Sequence, residues 1–165
     1  MGRKRFGEMH CGIAQALELI GDWWTLLIVR DAFLGARRFG DFEANLGIAK
    51  NILSDRLHRL VEHGILQKHP IGDSDQRFDY RLTEKGEALL PVLTSLREWS
   101  DQWVFGEGRE PVVIKDRRTR QPVPRLTLKD AQGRELTRRD LYTEPGPGAT
   151  PEIRRRLERP REAEG

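Results

Sequence analysis

The sequence has little cysteine and no long apolar run, and both absences narrow the class of protein. Cys11 is the only cysteine among 165 residues, which excludes an internal disulfide and a cysteine-rich zinc site. No apolar run reaches the roughly 18 residues that a membrane-spanning helix needs. No apolar stretch with a cleavage site directly follows the basic residues 1–6, so we expect a cytoplasmic protein without a secretory signal.

Motifs for catalysis and for metal binding are also missing. The sequence contains no glycine-rich phosphate loop, no Gly-x-Ser-x-Gly nucleophile and no carboxylate pair in an acid/base arrangement. Of its four histidines, His58 and His63 are nearest in sequence, and their spacing does not place both on one helix face. We therefore predict no enzyme activity, no metal site and no cofactor.

Charge is nearly balanced over the whole chain but is distributed unevenly. The net charge is +3, with 33% charged and 37% hydrophobic residues, a composition typical of a globular protein with a core. Residues 1–110 have a net charge of −2, and residues 111–143 have a net charge of +5. Non-specific DNA affinity comes from neutralising phosphates, so the positions of individual Arg and Lys residues must decide whether DNA is a partner.

Periodicity and composition divide the chain into three segments. Residues 10–105 show dense helical periodicity, residues 110–143 predict a small basic β-ribbon, and residues 144–165 predict a flexible tail. A helical stub at residues 152–159 is expected within the tail. The ribbon either extends a DNA footprint, braces a dimer or binds an effector, and the sequence does not choose between these roles.

The first segment predicts a helix-turn-helix. Residues 13–20 carry one apolar face, and residues 23–34 are apolar almost all round, which predicts a helix buried in the domain centre. Asp22 is a suitable N-cap for that second helix. Residues 39–46 and 49–63 predict two further helices joined by a tight turn that contains a glycine.

A hairpin and a last helix follow this motif. Strand-like runs at residues 65–69 and 78–82 flank turn formers at residues 72–76 and predict a hairpin, the candidate wing. Thr83 can cap a helix at residues 84–104. Pro91 lies inside that helix and should kink it or end its first section.

The helix at residues 49–63 is the candidate DNA-reading element. With its leucines facing inward, Lys50, Asn51 and Ser54 lie outward in the first turns, where a recognition helix meets base edges in the major groove. Asn can pair with adenine, and Lys can reach guanine or phosphate. The same pattern also fits an ordinary solvated face, and only the wing directly after the helix favours DNA binding.

Arginines near the motif are candidate phosphate contacts. Arg77, on the return strand of the wing, either grips DNA or is plain surface charge. Arg37 and Arg38 precede the first helix of the motif and are placed for contact with the DNA backbone. Arg56 either reaches a phosphate or pairs with a neighbouring acid such as Asp55 or Glu62.

Acidic residues in the wing count against tight DNA binding. Asp73, Asp75 and Asp79 would repel phosphate if they faced it. They slightly favour the alternative that the winged helix is a protein-interaction module, which would use Trp99, Trp103 and the basic appendage.

The last helix carries an apolar stripe that includes Leu96, Trp99 and Trp103. This stripe exceeds what the edge of a small domain requires, so we predict that these residues form a homodimer interface. The alternative is packing against the first helix within one chain. A third hypothesis, compatible with DNA binding, is a ligand pocket between the tryptophan-rich helices.

Cys11 lies just ahead of the first helix. A helix N-terminus favours the thiolate form of cysteine and raises its reactivity, so one interpretation is a redox or electrophile sensor. The other interpretation is a small buried apolar residue.

Several motifs in order resemble the HxlR-type regulators, over roughly residues 10–105. They are CGIA at 11–14, IGDWWTLLIVR at 20–30, RRFGDF at 37–42, GIAKNILSDRL at 47–57 and YRLTEKG at 80–86. The resemblance implies a mainly α-helical, winged helix-turn-helix repressor or activator that dimerises through its first and last helices. It implies that residues 49–63 read DNA and that residues 65–82 form the wing.

The expected partners are duplex DNA, a second copy of the chain, and a small-molecule or electrophile effector. A dimer should read a pseudo-palindromic operator, with one half-site for each copy. Some relatives sense electrophiles or oxidants through a cysteine near the first helix, and Cys11 occupies that position. Residues 110–165 lie outside the resemblance.

Overall fold

The computed structural model describes residues 6–72 and 74–158, with the side chains of residues 74–76 left out of the description. Its helices and strands follow one another as α1 (Gly12–Ile20), α2 (Trp23–Phe33), α3 (Phe39–Leu46), α4 (Lys50–Glu62), β1 (Leu66–Ile71), β2 (Ser74–Leu82), α5 (Glu84–Glu87), α6 (Leu90–Ser100) and α7 (Pro151–Leu157). A π-helical turn spans Asp101–Phe105, and a 3₁₀ turn spans Arg138–Asp140. The fold is thus mainly helical with one two-stranded antiparallel sheet, as predicted.

The described chain forms two units. One comprises Leu19–Leu126 and holds the helix-turn-helix, the hairpin and α6. The other combines the described residues up to Glu18 with those from Thr127 onward. The borders predicted from the sequence at about residues 105 and 144 remain a prediction.

The predicted helix-turn-helix consists of α3 and α4. α3 spans the predicted residues, and α4 fills residues 49–63 once its caps Ala49 and His63 are included. Gly47 ends α3 at a φ of 59°, a left-handed conformation that favours glycine. Burial falls on one side of α4, at Leu53, Leu57 and Leu60.

α2 packs in the core as its apolar composition predicts, but both ends of residues 23–34 are exposed. Its buried side includes Ile28, Val29 and Ala32, whereas Trp23 is 87% exposed and Leu34 is 75% exposed. Trp23 is the first residue of α2 and Leu34 is its C-cap, so both lie at the ends of the packed face. The predicted cap is present, because Asp22 accepts hydrogen bonds from the first turn of α2.

α1 buries less of its apolar face than its periodicity indicates. Ala14 and Ile20 are buried, but Ile13 is 73% exposed and Leu17 is 45% exposed in the single chain. Among the described residues no single helix is long and apolar enough to span a membrane, and the bent pair of α1 and α2 meets that test by length and composition alone.

The wing is an antiparallel hairpin of β1 and β2. Its register runs from Leu66 opposite Leu82 to Ile71 opposite Ser74, with an irregularity after Pro70. Both strands extend further than residues 65–69 and 78–82, and the turn between them is correspondingly shorter than predicted. Asp73 in that turn lies outside the described residues.

The base of the wing is fastened to the end of α4 and to α5. The Thr83 hydroxyl donates to the Gly64 carbonyl at 2.5 Å, and the Thr83 N–H donates to the Ile65 carbonyl at 3.1 Å. Thr83 also caps α5 as predicted, because its hydroxyl accepts from the Gly86 N–H at 3.1 Å. Gly86 is buried so closely that a Cβ there would lie 2.2 Å from the Ile65 carbonyl oxygen.

The helix predicted at residues 84–104 is interrupted where Pro91 indicated. α5 ends at Glu87 and α6 begins at Leu90, so Pro91 lies in the first turn of α6. A proline is tolerated there because the N–H that it lacks would have no partner within the helix.

The β-ribbon predicted at residues 110–143 is not confirmed. In that segment, all of it described, the pairing is limited to two isolated bridges, Lys115 with Pro122 and Lys129 with Glu135. Pro122 and Pro124 lack the N–H groups that a ladder requires. The helical stub expected at residues 152–159 is present as α7.

We predict that Gly86→Ala destabilises the fold, because its methyl group would overlap the Ile65 carbonyl. The free energy of unfolding should fall by about 1–3 kcal/mol, measured by urea denaturation. Gly40→Ala is the matched control, since Gly40 lies in α3 with open space around its Cβ position. An unchanged denaturation midpoint in Gly86→Ala would show that α5 does not press against the Ile65 carbonyl.

Candidate nucleic-acid interface

The polar start of α4 is exposed as predicted. Lys50, Asn51 and Ser54, in the first turns of α4, are all exposed, whereas Leu53, Leu57 and Leu60 are buried. Lys50 is 77% exposed and its Nζ lies 3.6 Å from Glu43 Oε1. An exposed pair of this kind is worth at most about 1 kcal/mol, so Lys50 can exchange Glu43 for another anion.

Arg38 and Arg77 line the same open groove between the start of α3 and the wing. The groove has a volume of about 330 Å³, and its other lining residues are Phe39, Gly40, Ile71, Phe78 and Tyr80. Two guanidinium groups beside one groove favour an anion such as a backbone phosphate. The structure therefore brings together two residues that are 39 positions apart in the sequence.

The position of the wing relative to α3 is fixed by an aromatic cluster. The Tyr80 ring packs edge-on against Phe42, with centroids 6.2 Å apart, and against Phe78, with centroids 5.2 Å apart. The Tyr80 N–H donates to the Arg37 carbonyl at 2.7 Å, which joins β2 to the residue before the helix-turn-helix. Burial of the Tyr80 ring also raises the pKa of its phenol.

Arg37 itself is turned inward rather than toward a ligand. The Nη1 of its side chain donates to the Ala32 carbonyl at 3.3 Å, and its backbone N–H donates to Asp41 Oδ2 at 3.0 Å. Asp41 also accepts from the Arg38 N–H at 2.8 Å. These backbone donors, that of Arg38 first and that of Arg37 second, lower the pKa of the Asp41 carboxyl.

The acidity of the wing is partly neutralised within the protein. Asp79 is only 19% exposed and lies between two arginines, with Oδ1 3.7 Å from Arg38 Nε and Oδ2 3.6 Å from Arg81 Nη2. At these separations the contacts are ion pairs without hydrogen bonds. Asp73 and the side chain of Asp75 lie outside the described residues.

Arg56 is engaged within the protein, which favours the second of the two roles expected for it. Its Nη1 pairs with Asp55, and its Nε lies 3.0 Å from Asp22 Oδ1. The Arg56 side chain is only 19% exposed. Sequence reasoning identified Asp22 as a helix cap but missed this second contact, because the two residues are separated by 34 positions.

The apolar residues predicted at a dimer interface are exposed in the single chain. Leu96, Trp99 and Trp103 are 52%, 59% and 67% exposed. Val92, one turn before Leu96 on α6, is 47% exposed. A continuous apolar stripe left open along one helix is typical of a surface that a partner covers.

Cys11 lies directly before α1 and its thiol is exposed. The backbone N–H groups of Ala14 and then Ile13 stabilise the thiolate and lower the pKa of Cys11, with a smaller contribution from the positive charge of Arg156. The interpretation of Cys11 as a small buried residue is therefore wrong. Among the described residues, no cluster of His, Cys, Asp and Glu could hold a metal ion.

The known proteins that this chain resembles are helix-turn-helix regulators and transcription factors. The family model described as HxlR-like helix-turn-helix matches residues 19–107. The HTH-type transcriptional regulator Rv3095 of Mycobacterium tuberculosis is 40% identical over 137 residues, covering 82% of this chain and 86% of its own. The crystal structure of the proposed transcription factor PA1607 has a TM-score of 0.78 at 42% identity, covering 86% of this chain and 99% of its own.

A more distant structural relative has a redox function. The redox regulator HypR, in its reduced form, has a TM-score of 0.51 and 25% sequence identity to this chain. The similarity covers 55% of this chain and 90% of HypR.

Proposed function

The chain belongs to the HxlR-like helix-turn-helix family of transcriptional regulators, and we propose that it binds a pseudo-palindromic operator as a homodimer. The observation that carries this proposal is the exposed polar start of α4, where Lys50, Asn51 and Ser54 are open to solvent while the leucines of the same helix are buried. In this arrangement the first turns of α4 enter the major groove and read base edges. Such a dimer reads half-sites about one helical turn apart, or a multiple of that distance.

The groove between α3 and the wing supplies the phosphate contacts in this proposal. Arg38 and Arg77 line it from two different elements, so a DNA strand that passes over the groove meets both guanidinium groups. Contacts of this kind fix the register of the protein on DNA without reading its sequence. The pairing of Asp79 with Arg38 and Arg81 reduces the repulsion that an acidic wing would otherwise cause.

The homodimer part of the proposal rests on α6. Leu96, Trp99 and Trp103 offer a large apolar area in the single chain, and a second copy of the same helix would cover it by two-fold symmetry. In such a dimer the two copies of α4 are related by two-fold symmetry, as are the two half-sites of a pseudo-palindromic DNA site.

We expect Lys50→Ala and Asn51→Ala to weaken operator binding while leaving the dimer intact. The affinity of Asn51→Ala for a duplex from the DNA upstream of its own gene should fall about 10-fold or more, because a bidentate base contact is worth about 1–3 kcal/mol. Fluorescence anisotropy against a scrambled duplex, titrated with salt, measures this effect. Gln67→Ala, an exposed polar residue on β1, is the control.

Two outcomes of this titration contradict different parts of the proposal. Full operator affinity in both α4 variants would mean that α4 does not read DNA. Equal affinity of the unmodified protein for operator and scrambled duplexes would instead favour the protein-interaction alternative.

Trp103→Ala should loosen the dimer, because it removes a large part of the exposed apolar stripe along α6 and the π-helical turn that follows it. Sedimentation equilibrium over a concentration series should show a dissociation constant raised at least 10-fold, which is about 1.4 kcal/mol. Trp23→Ala is the matched control, since Trp23 is even more exposed but lies on α2. An unchanged mass distribution in Trp103→Ala would place the dimer interface elsewhere.

We further propose that Cys11 makes DNA binding responsive to electrophiles or oxidants. The specific observation is an exposed thiol whose pKa is lowered by the backbone N–H groups of Ala14 and Ile13. The thiolate is the reactive form of cysteine, so a lowered pKa increases the reactive fraction at neutral pH. The similarity to the redox regulator HypR supports the same interpretation.

We expect N-ethylmaleimide to abolish selective operator binding by the unmodified protein and to leave Cys11→Ser unaffected. The thiolate adds to the maleimide double bond, forms a thioether and leaves the adduct carbanion to take a proton from water. The alkylation rate should rise with pH around a midpoint below that of the same thiol in urea-unfolded protein, because folding lowers the pKa of Cys11. Equal midpoints in both states, or operator binding that survives complete alkylation, would contradict the sensor proposal.

A further inference from the structure

One ion pair joins the candidate DNA-reading helix to the beginning of α2. Arg56 lies in the middle of α4, and its Nε is 3.0 Å from Oδ1 of Asp22. Both side chains are largely withdrawn from solvent, with 19% of Arg56 and 13% of Asp22 exposed. The contact therefore differs from the exposed pair of Lys50 with Glu43, whose lysine is 77% exposed.

Asp22 is itself held rigidly by the helix that it caps. Oδ1 accepts from the N–H groups of Trp24 and Thr25, at 3.1 Å each, and Oδ2 accepts from the Thr25 hydroxyl. Thr25 is buried, with 2% exposure. The Nε of Arg56 thus donates to a carboxylate whose position is fixed by the backbone of α2, while its Nη1 pairs with Asp55.

The Arg56–Asp22 contact adds a directional restraint to the apolar packing that holds α4 against the core. Leu53, Leu57 and Leu60 hold the helix against the core, but apolar burial has no preferred direction. The N-cap residue Ala49 offers no side-chain hydrogen bond at the end that carries Asn51. A charge-assisted contact between a guanidinium group and a carboxylate does specify direction.

We propose that Arg56 is a positioning residue, which sets the orientation of α4 for DNA reading through Asp22 and makes no contact with phosphate itself. This inference rests on the proposed function. Turning Arg56 toward DNA would break its contact with Asp22 and leave a mostly buried carboxylate without its cation, which is unfavourable.

The test uses Asp22→Asn, Arg56→Gln and the double variant. Asparagine caps helices about as well as aspartate, so Asp22→Asn keeps the cap of α2 and removes the charge at Asp22 that pairs with Arg56. Arg59→Gln is the matched control, because Arg59 is also on α4 and its loss removes the same charge outside this ion pair.

We expect each single variant to lose operator affinity about 5- to 30-fold. The double variant should bind the operator no less tightly than the single variant with the lower affinity. Affinity for scrambled DNA should stay within about two-fold, and the slope of log affinity against log salt should be unchanged. A merely structural loss would lower the melting temperature without this selective loss of operator reading. Arg59→Gln should keep the operator-to-scrambled ratio.

Two results would overturn the inference. In the first, the slope of log affinity against log salt decreases in magnitude by about 0.9 in Arg56→Gln, while Asp22→Asn binds normally. This would show that Arg56 contacts a phosphate. Additive losses in the double variant would show that the two residues act separately.

Amide hydrogen exchange without DNA separates this inference from the proposed function. Residues 50–54 should exchange several-fold faster in Asp22→Asn and Arg56→Gln than in Arg59→Gln if the ion pair orders the start of α4. Unchanged protection in both variants would overturn the positioning role. A protein that does not select its operator but shows this faster exchange would refute the proposed function alone.

Discussion

The burial of one side of α4 is the constraint on which the rest of the structure depends. Leu53, Leu57 and Leu60 are all but inaccessible, in one core with residues of α2, α3 and β1. Because an α-helix turns through 100° per residue, burying these three positions turns Asn51 to the opposite side and Ser54 to the flank, while Lys50 is exposed in the first turn of the helix. The same packing that stabilises the domain therefore selects which residues are offered to DNA.

The wing is useful to this helix only because it is held at a fixed place beside α3. Tyr80 provides that link twice, through its ring against Phe42 and through its N–H to the Arg37 carbonyl. As a result, Arg77 on β2 comes to line the same groove as Arg38. Charges that are isolated in the sequence become a paired feature only after the wing has packed, and the neutralisation of Asp79 depends on the same packing.

Local signals predicted most of the fold, and features that depend on distant contacts were missed. Apolar spacing and the residues Asp22, Gly47, Thr83 and Pro91 placed the helices of the winged helix-turn-helix within a few residues. The exposure of Trp23 was missed because composition does not reveal where along a helix the packed face stops. The contact of Arg56 with Asp22 was missed because nothing local relates residues so far apart. The exposed positions Lys50, Asn51 and Ser54 were predicted, since they follow directly from the leucine spacing.

The proposed sensor and the proposed positioning contact lie at opposite ends of one short helix. Cys11 directly precedes α1, and Asp22 follows the end of α1 at Ile20 by two residues. Regulation needs only about 1–3 kcal/mol of coupling, which is comparable to the contribution of one charge-assisted hydrogen bond. The Asp22–Arg56 contact alone is therefore strong enough for a change of regulatory size in DNA reading.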